Sequence, residues 1–581
     1  MRHPRKWFLI GLLILIPGYY SPKAQVRGPL VVSDRWPEST DMFTWSRDIF
    51  RLDGVEHSSE RDRAISFFNW LRLYNRLCEG VGGMAHAYEG AWGKEGFVFD
   101  LHKHLFVYGW GYCSTHSMIA EGFWQEYMKD SLAADRVIVM HEDGGYHTMY
   151  RLRLEGKFSA FDARYGYYLL EKDTPEARIL DWDGIGDDKN ILANRHYKNR
   201  CRPFFEFPQK EFERALWIKP KPVFASEDAW RAAGTEPEVV FRDRQYKMGT
   251  KFHDMRFSLP RGSTIERHWD NRMQKWYVPK EDKDMFLPEG RFYRIGASMV
   301  GADGEKNDPN WKYIKPYLTR VPEGLGYPEY LEGDLSLGQA WGKLSYDPVL
   351  SRGDLEQLKI EGQGLKCFAE APFIRPAEEN GAGEWVLEFY SPYILVDGLI
   401  SGKLEGGEGD SVEVAFRSQV PKRLNISQAE EWLPWRTISA KPGPFLVTLD
   451  RADAAEGGSS FHGTYRWQLK ISLVAGGQRL VSNKPRSQVG LDALHVAAFF
   501  ENGIMSIPQI FAGDNTIRFK VEDPAKVEGD ILVTYRWQAA QGEQCNRKRI
   551  TPDEFYKDNE AVYHLEAPGL ERCNSLSISY P

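Results

Sequence analysis

The stretch around Glu155-Gly156 constrains the fold more than any other part of this sequence. Two runs in which apolar and polar residues largely alternate, 146–154 and 158–162, flank these two residues, and such runs predict two strands joined by a turn. If the turn has two residues, His147 and Asp162 become diagonal neighbours on one face of the hairpin, within reach of a carboxylate-to-imidazole hydrogen bond. A three-residue loop would put them on opposite faces.

A cysteine lies directly before a stretch with helical periodicity, upstream of the predicted hairpin. The pattern from Ser114 to about Lys129 is helical, and Cys113 lies directly before it, after Gly109-Trp110-Gly111. The unpaired N–H groups of a helix start favour thiolate and lower a cysteine pKa of about 8.5 by one or more units. The same amides stabilise the oxyanion of a tetrahedral intermediate. Cys113 is therefore a candidate nucleophile; the alternative is a buried structural cysteine.

The order of these elements resembles the transglutaminase-like superfamily. A cysteine starts a helix, a histidine lies in a strand, and an aspartate follows 15 residues later at the end of the next strand. Gly111-Tyr112-Cys113 is similar to the Gly-x-Cys element of that superfamily, and His147 to Leu154 to its histidine strand. Residues 157–162 are similar to its Gly-x-Trp-x-x-x-Asp-Pro element. The superfamily is related to papain-type cysteine proteases and includes transglutaminases, peptidases and de-N-glycosylating amidases.

The resemblance covers roughly residues 60–170 and departs from the family pattern in three places. Met149 replaces the usual aromatic residue, Phe158 the usual tryptophan, and Ala163 the usual proline. None of these changes removes a catalytic group. The pocket around the histidine is where we expect differences.

The resemblance implies acyl transfer by a catalytic triad. The Cys113 thiolate attacks an amide carbonyl, His147 takes the thiol proton and later protonates the leaving amine, and Asp162 orients the imidazole. Water as acceptor gives hydrolysis, which we favour, and a lysine amine gives the cross-linking of a transglutaminase. The implied substrate is a peptide, protein or glycopeptide, and no cofactor is expected.

The N-terminus has the features of an export signal. Arg2, Arg5 and Lys6 precede the short apolar run from Trp7 to Ile16, and Pro22-Lys23-Ala24 is a passable cleavage site. The run is too short to span a bilayer, which needs about 20 residues, and no later segment is longer. The sequence predicts a secreted, periplasmic or cell-surface protein without a membrane span after signal removal.

The length of 581 residues predicts three or four domains. Prolines from 203 to 222 indicate a boundary, and short alternating runs after about residue 360 are typical of β-sandwiches. The predicted fold is an α+β catalytic domain, with helices packed on an antiparallel sheet, followed by a β-rich region and β-sandwich domains, as in secreted multidomain proteins of bacterial type. The predicted parts are a signal peptide, 1–24; a transglutaminase-like domain, 25–205; a β-rich region, 206–355; and two sandwiches, 356–484 and 485–581.

The charge and the aromatic content of the chain indicate which partners the protein can bind. A formal net charge of -7 gives no sign of nucleic-acid binding, which calls for a basic patch. Aromatic residues make up 14% of the chain, including 19 tryptophans, which suits thick cores and also platforms for sugars. The alternative function is therefore a non-catalytic protein whose sandwiches bind a cell-surface polysaccharide.

Two stretches raise the question of a metal. His102-Lys103-His104, taken as a strand, puts two histidines on one face near His116 and His141, but the spacing is not that of a zinc site. The acidic loop 181–188 lacks the spacing of an EF-hand. We predict rim or core histidines, a solvated acidic turn, and no metal.

The six cysteines are too few for a disulfide scaffold. Cys545 with Cys573 is the favoured bridge, and Cys78 with Cys201 is a weaker one, since an exported protein meets oxidising conditions. Cys113 must keep its thiol if it is a nucleophile.

Overall fold

The structure is a computed structural model. It describes residues 25–74, 89, 98–108, 113–140, 146–162, 167–172, 174, 176–184, 192–193, 223–224, 240–242, 252–269, 277, 339–421, 430–450, 453, 458–476, 488–555 and 559–581. The predicted signal peptide lies outside these residues. None of the described helices is long and apolar enough to cross a bilayer.

The first half of the chain contains all three described α-helices and one π-helix. Its elements, in chain order, are β1 Gln25–Arg27, β2 Leu30–Ser33, α1 Met42–Leu52, α2 Glu60–Tyr74, the π-helix Lys103–Tyr108, α3 Cys113–Met128, β3 Ala134–Met140, β4 Tyr146–Leu154, β5 Lys157–Asp162, β6 Tyr167–Leu170, β7 Leu192–Ala193, β8 Val223–Phe224, β9 Val240–Arg242, β10 Ser258–Pro260 and β11 Ser263–His268.

The elements described from residue 339 onward are strands and short 3-10 turns. The strands are β12 Gln339–Tyr346, β13 Lys359–Gln363, β14 Leu365–Cys367, β15 Ile374–Pro376, β16 Ala382–Tyr390, β17 Ile394–Glu405, β18 Ser411–Pro421, β19 Glu430–Trp432, β20 Arg436–Ser439, β21 Gly443–Thr448, β22 Arg466–Val474, β23 Gly490–Gly503, β24 Gly513–Lys520, β25 Ile531–Ala539, β26 Gly542–Ile550, β27 Glu560–Ala567 and β28 Leu570–Tyr580.

The helices begin where side chains can accept the first backbone N–H groups. Asp41 accepts from the amides of Phe43 and Thr44 at the start of α1. The Asp62 amide donates to Ser59 Oγ at 3.2 Å at the start of α2.

Aromatic side chains join these helices to one another. Phe67 of α2 stacks on Phe123 of α3 with ring centroids 4.1 Å apart, and Trp45 of α1 meets Phe123 edge-on at 5.8 Å. All three are fully buried. Each such pair contributes about 0.5–1.5 kcal/mol beyond the burial of its apolar surface.

Five sheets hold the strands. A seven-stranded sheet, in the order β7-β6-β5-β4-β3-β9-β8, carries α3 against β3 and β4. A ten-stranded sheet contains the path β14-β15-β23-β12-β11-β28-β25-β26, with β17 beside β23 and β21 beside β17. The third sheet has six strands in the order β13-β16-β22-β18-β19, with β20 beside β18. The fourth sheet is β2-β24-β27, and the fifth is β1-β10.

The predicted fold class, an α+β catalytic domain followed by a β-rich region and β-sandwich domains, is wrong. The described residues form 28 strands but only four helices, and the sheets curl into half-barrels, so the molecule is mostly β. Periodicity predicted α3, but neither α1 nor the π-helix was predicted. What periodicity does not report is which distant strands pair, and that pairing decides the fold class.

Sheet pairing also crosses the predicted domain boundaries. β2 pairs with β24, β12 with β23, and β11 with β28. A hydrogen-bonded sheet does not by itself mark where folding units end, so the boundaries stay predictions.

Candidate functional site

Helix α3 begins at Cys113, as the sequence predicts, and this residue is buried. The first turn of a helix has N–H groups without intrahelical partners and carries the positive end of the helix dipole. The Ser117 hydroxyl, one turn further on, lies 2.8 Å from the Cys113 carbonyl oxygen and 3.2 Å from the Thr148 carbonyl oxygen. It therefore joins the first turn of α3 to β4, at the residue that follows His147.

The hairpin of β4 and β5 has the predicted register. Leu154 pairs with Lys157 and Tyr150 with Phe161, so the turn consists of Glu155 and Gly156 alone. Both turn residues have positive φ, 50° and 85°, as a tight hairpin turn with the twist of its strands requires. The turn is also held from outside, because the Glu155 amide donates to Glu60 Oε2 at 2.8 Å.

Asp162 is the last residue of β5 and is 1% exposed. It follows Phe161, whose partner in β4 is Tyr150, and its own partner is Tyr167 of β6. His147 itself lies in β4, where its backbone pairs with Val139 of β3, but its side chain is outside the described part of the structure. The neighbouring residues 109–112, 141–145 and 163–166 are outside it as well.

The structure thus brings together the three segments that carry the predicted site residues. Cys113 and Asp162 are both buried, and the chain segments around them are fixed by helix packing and by register. In general, nucleophilic acyl transfer by a cysteine requires a thiolate, which a helix N-terminus favours, and a histidine within reach of it.

Buried ion pairs hold α3 and β4 to β3. Arg136 of β3 is fully buried and bonds Glu121 of α3 at 2.6 Å. Arg151 of β4 makes two hydrogen bonds to Asp135 of β3, at 2.8 and 2.6 Å, which is the bidentate geometry that arginine favours. These contacts fix the strand of His147 relative to the helix of Cys113.

A second cluster of buried titratable groups was not predicted. The carboxylate of Glu89, which is 1% exposed, accepts hydrogen bonds from Lys103 Nζ at 2.6 Å, Tyr108 Oη at 2.5 Å and Tyr465 Oη at 2.6 Å. The Lys103 ammonium also lies 4.3 Å from the centre of the Tyr465 ring. No local pattern signals this cluster, because Glu89 and Tyr465 are 376 residues apart.

Burial shapes the protonation of this Glu89 cluster. Burial alone would raise the pKa of Glu89, but the Lys103 charge and the three hydrogen bonds outweigh it and lower that pKa. Burial, with the Glu89 charge, raises the pKa of both tyrosines well above 10. The carboxylate is therefore charged and the tyrosines are neutral hydrogen-bond donors.

The histidines considered for zinc are core residues. His102 and His104 are buried at and before the start of the π-helix, not on a strand, and burial lowers the pKa of His104 to about 4. His104 donates to the Val98 carbonyl at 2.7 Å through Nε2. His141 lies outside the described residues. Across the described ranges, no group of three or more His, Cys, Asp or Glu side chains is placed to hold a metal ion.

The described start of the acidic loop is a structured turn rather than a solvated one. Asp181 is buried and accepts hydrogen bonds from the Gly184 amide and from Lys157 Nζ, both at 2.7 Å. The lysine bond, ahead of the opposing effect of burial, lowers the pKa of Asp181. Residues 185–188 are outside the described part.

The favoured disulfide is wrong: Cys545 and Cys573 are separate thiols. They lie in β26 and β28, on either side of β25, where their partners are the consecutive residues Arg536 and Trp537. Consecutive strand residues face opposite sides of a sheet, so the two cysteines do as well. Burial raises the pKa of Cys573 to about 12. Cys78 and Cys201 are outside the described residues.

Comparison with known proteins does not show a family for this chain. No protein-family profile matches it, and no curated protein matches it. A glycosyl hydrolase family 2 member from Bacteroides cellulosilyticus is 9% identical over 35% of this chain and 24% of its own, with a TM-score of 0.11. The chain thus spans about a quarter of that enzyme.

Two other solved structures show similarity of the same low order. A Parabacteroides distasonis protein described as secreted is 12% identical over 42% of this chain and 89% of its own, with a TM-score of 0.14. The pilus backbone protein of Streptococcus pneumoniae is 11% identical over 35% of this chain and 73% of its own, with a TM-score of 0.10. Similarity this low carries no argument about fold or function.

Proposed function

We propose that the protein is an exported cysteine-dependent acyl-transfer enzyme that hydrolyses amide bonds, with Cys113, His147 and Asp162 as its catalytic residues. The observation that carries the proposal is the hydroxyl of Ser117. It lies within hydrogen-bond distance of the Cys113 and Thr148 carbonyl oxygens, and so joins the first turn of the cysteine helix to the strand residue next to His147. The two-residue turn of the hairpin supports the pairing of His147 with Asp162.

The proposed reaction has two stages. Cys113 Sγ attacks the amide carbonyl carbon, the helix amides stabilise the oxyanion, and collapse expels the amine, which takes a proton from His147. Water then loses a proton to His147 and attacks the thioester. The carboxylic acid leaves and the thiolate is restored. Asp162 keeps the imidazole oriented and stabilises its charged form throughout.

The proposed substrate is a peptide, protein or glycopeptide, and no cofactor takes part. The alternative partner is a cell-surface polysaccharide, bound by the β-rich part of the chain from residue 339 onward. Nine of the twelve described tryptophans are buried, so packing accounts for most of these side chains. Quenching of tryptophan fluorescence by soluble glycans tests the alternative.

A substrate screen tests the proposal. Wild type and Cys113→Ala are compared on peptide amides, on glutamine donors with a primary amine, and on glycopeptides. We expect hydrolysis by wild type and none above background by the variant, because the nucleophile is gone. Cys545→Ala, which removes an exposed thiol on β26, is the matched control and should keep full activity. Equal activity of wild type and Cys113→Ala would sink the proposal, and amine incorporation would assign transfer instead of hydrolysis.

A further inference from the structure

The π-helix Lys103–Tyr108 ends five residues before Cys113. All six of its residues are buried. π-Helical turns are rare and occur frequently at functional sites. Only four residues of the sequence separate Tyr108 from Cys113.

Two contacts link this π-helix to the β-rich part of the chain, the residues from 339 onward. The Tyr465 hydroxyl, just before β22, shares Glu89 Oε1 with the Tyr108 hydroxyl. Gly503 at the end of β23 is so close to the π-helix that an added Cβ would lie 3.1 Å from the Leu105 carbonyl oxygen.

We propose that Tyr465 and Glu89 are positioning residues for Cys113, so that the β-rich part of the chain completes the site. Glu89 ties the end of the π-helix, five residues before Cys113, to Tyr465. Neither residue touches the reacting atoms. A misplacement of about 1 Å at a reacting group can lower a rate by about 100-fold, so residues that hold the nucleophile in place affect the reaction rate. The proposal rests on the function proposed above, because it assigns Cys113 as the nucleophile.

The test is the pH profile of Cys113 alkylation by iodoacetamide, followed by peptide mass spectrometry between pH 5 and 9. Tyr465→Phe removes only the hydroxyl and keeps the ring that Lys103 contacts. Tyr535→Phe is the matched control, since Tyr535 is also buried and donates one hydrogen bond, to the Pro508 carbonyl oxygen at 3.0 Å, from β25 of the ten-stranded sheet.

We expect Tyr465→Phe to move the midpoint of the profile upward by about half a pH unit or more, which is about threefold in rate at neutral pH. Tyr535→Phe should leave it unchanged. A general loss of stability would shift the labelling profiles of Tyr465→Phe and Tyr535→Phe alike. Tyr108→Phe, which removes the other tyrosine bond to Glu89 Oε1, should act like Tyr465→Phe.

Three results would overturn the inference. An unchanged profile in both Tyr465→Phe and Tyr108→Phe, beside a rapidly labelled wild type, refutes the positioning role and leaves the proposed function standing. Equal shifts in Tyr465→Phe and Tyr535→Phe assign the effect to general stability. A wild-type Cys113 that labels no faster than a small free thiol ends both proposals together. Faster amide hydrogen exchange of the peptide 103–117 in Tyr465→Phe, but not in Tyr535→Phe, would support the coupling independently of chemistry.

Discussion

Replacing Glu89 by glutamine tests how much the buried cluster contributes to stability. Glutamine has nearly the same shape, and its amide oxygen can still accept from Tyr108 and Tyr465. The variant leaves the ammonium of Lys103, whose side chain is 4% exposed, without its carboxylate. The nearby carboxyl of Asp100 offers less compensating charge than Glu89, because burial raises its pKa.

Two routes give the size of the effect. Breaking one partner of a buried ion pair typically costs about 3–5 kcal/mol. Alternatively the buried lysine can lose its proton. For a lysine with an ordinary pKa of about 10.4, this costs about 4 kcal/mol at pH 7.4, from three pH units at about 1.4 kcal/mol each. We therefore expect Glu89→Gln to lower the free energy of unfolding by about 4 kcal/mol.

Urea unfolding followed by tryptophan fluorescence measures this change. If the lysine in Glu89→Gln is neutral when folded, the unfolded chain binds one more proton, so stability rises with pH. The deficit should then shrink by about 1.4 kcal/mol per unit between pH 7.4 and 9. The double variant Glu89→Gln/Lys103→Met removes both charges and should recover most of the loss. A deficit below about 1 kcal/mol at pH 7.4 would refute the reasoning.

Three further predictions concern other contacts. Burial, reinforced for His253 by the Lys103 charge, lowers the pKa of His104 to about 4 and that of His253 to about 3. Above pH 6.5 both stay neutral whether folded or unfolded, but below it only the unfolded chain binds the protons. Stability should therefore fall toward pH 4 by up to about 1.4 kcal/mol per pH unit for each histidine. In urea titrations, His104→Asn should reduce that slope by about half. An unchanged slope would contradict this. Gly503→Ala should lower the unfolding free energy by about 1–3 kcal/mol, because its Cβ meets the π-helix backbone, and wild-type stability would show that the packing there is looser. Asp135→Ala, which strands the buried Arg151, should cost about 3 kcal/mol, whereas Glu126→Ala in the exposed pair with Lys129 should cost under about 1 kcal/mol; equal losses would refute the role of burial.

Local structure around the site was predictable because neighbouring residues determine it. Alternation and the Glu155-Gly156 dipeptide predicted the hairpin, and the helical spacing after Cys113 predicted α3. The turn geometry then fixed the register, because one residue more in the loop would have turned every later side chain to the other face.

The fold class and the Glu89 cluster were not predictable in the same way. The pairing of β11 with β28 joins residues some 300 positions apart, and their alternation is compatible with many partners. His102 and His104 look like a strand pair in the sequence, but both are buried in a helical segment, and Lys103 between them bonds the buried carboxylate of Glu89. Such tertiary contacts override local propensity and leave no local trace.

The central claim is that Cys113 is an activated nucleophile served by His147. The rate of iodoacetamide labelling of Cys113 near neutral pH, in wild type and in His147→Ala, tests it most directly. The account predicts rapid labelling in wild type and at least about tenfold slower labelling in the variant, since the imidazole stabilises the thiolate. Slow labelling that does not change in His147→Ala, as expected of a structural cysteine, would contradict it.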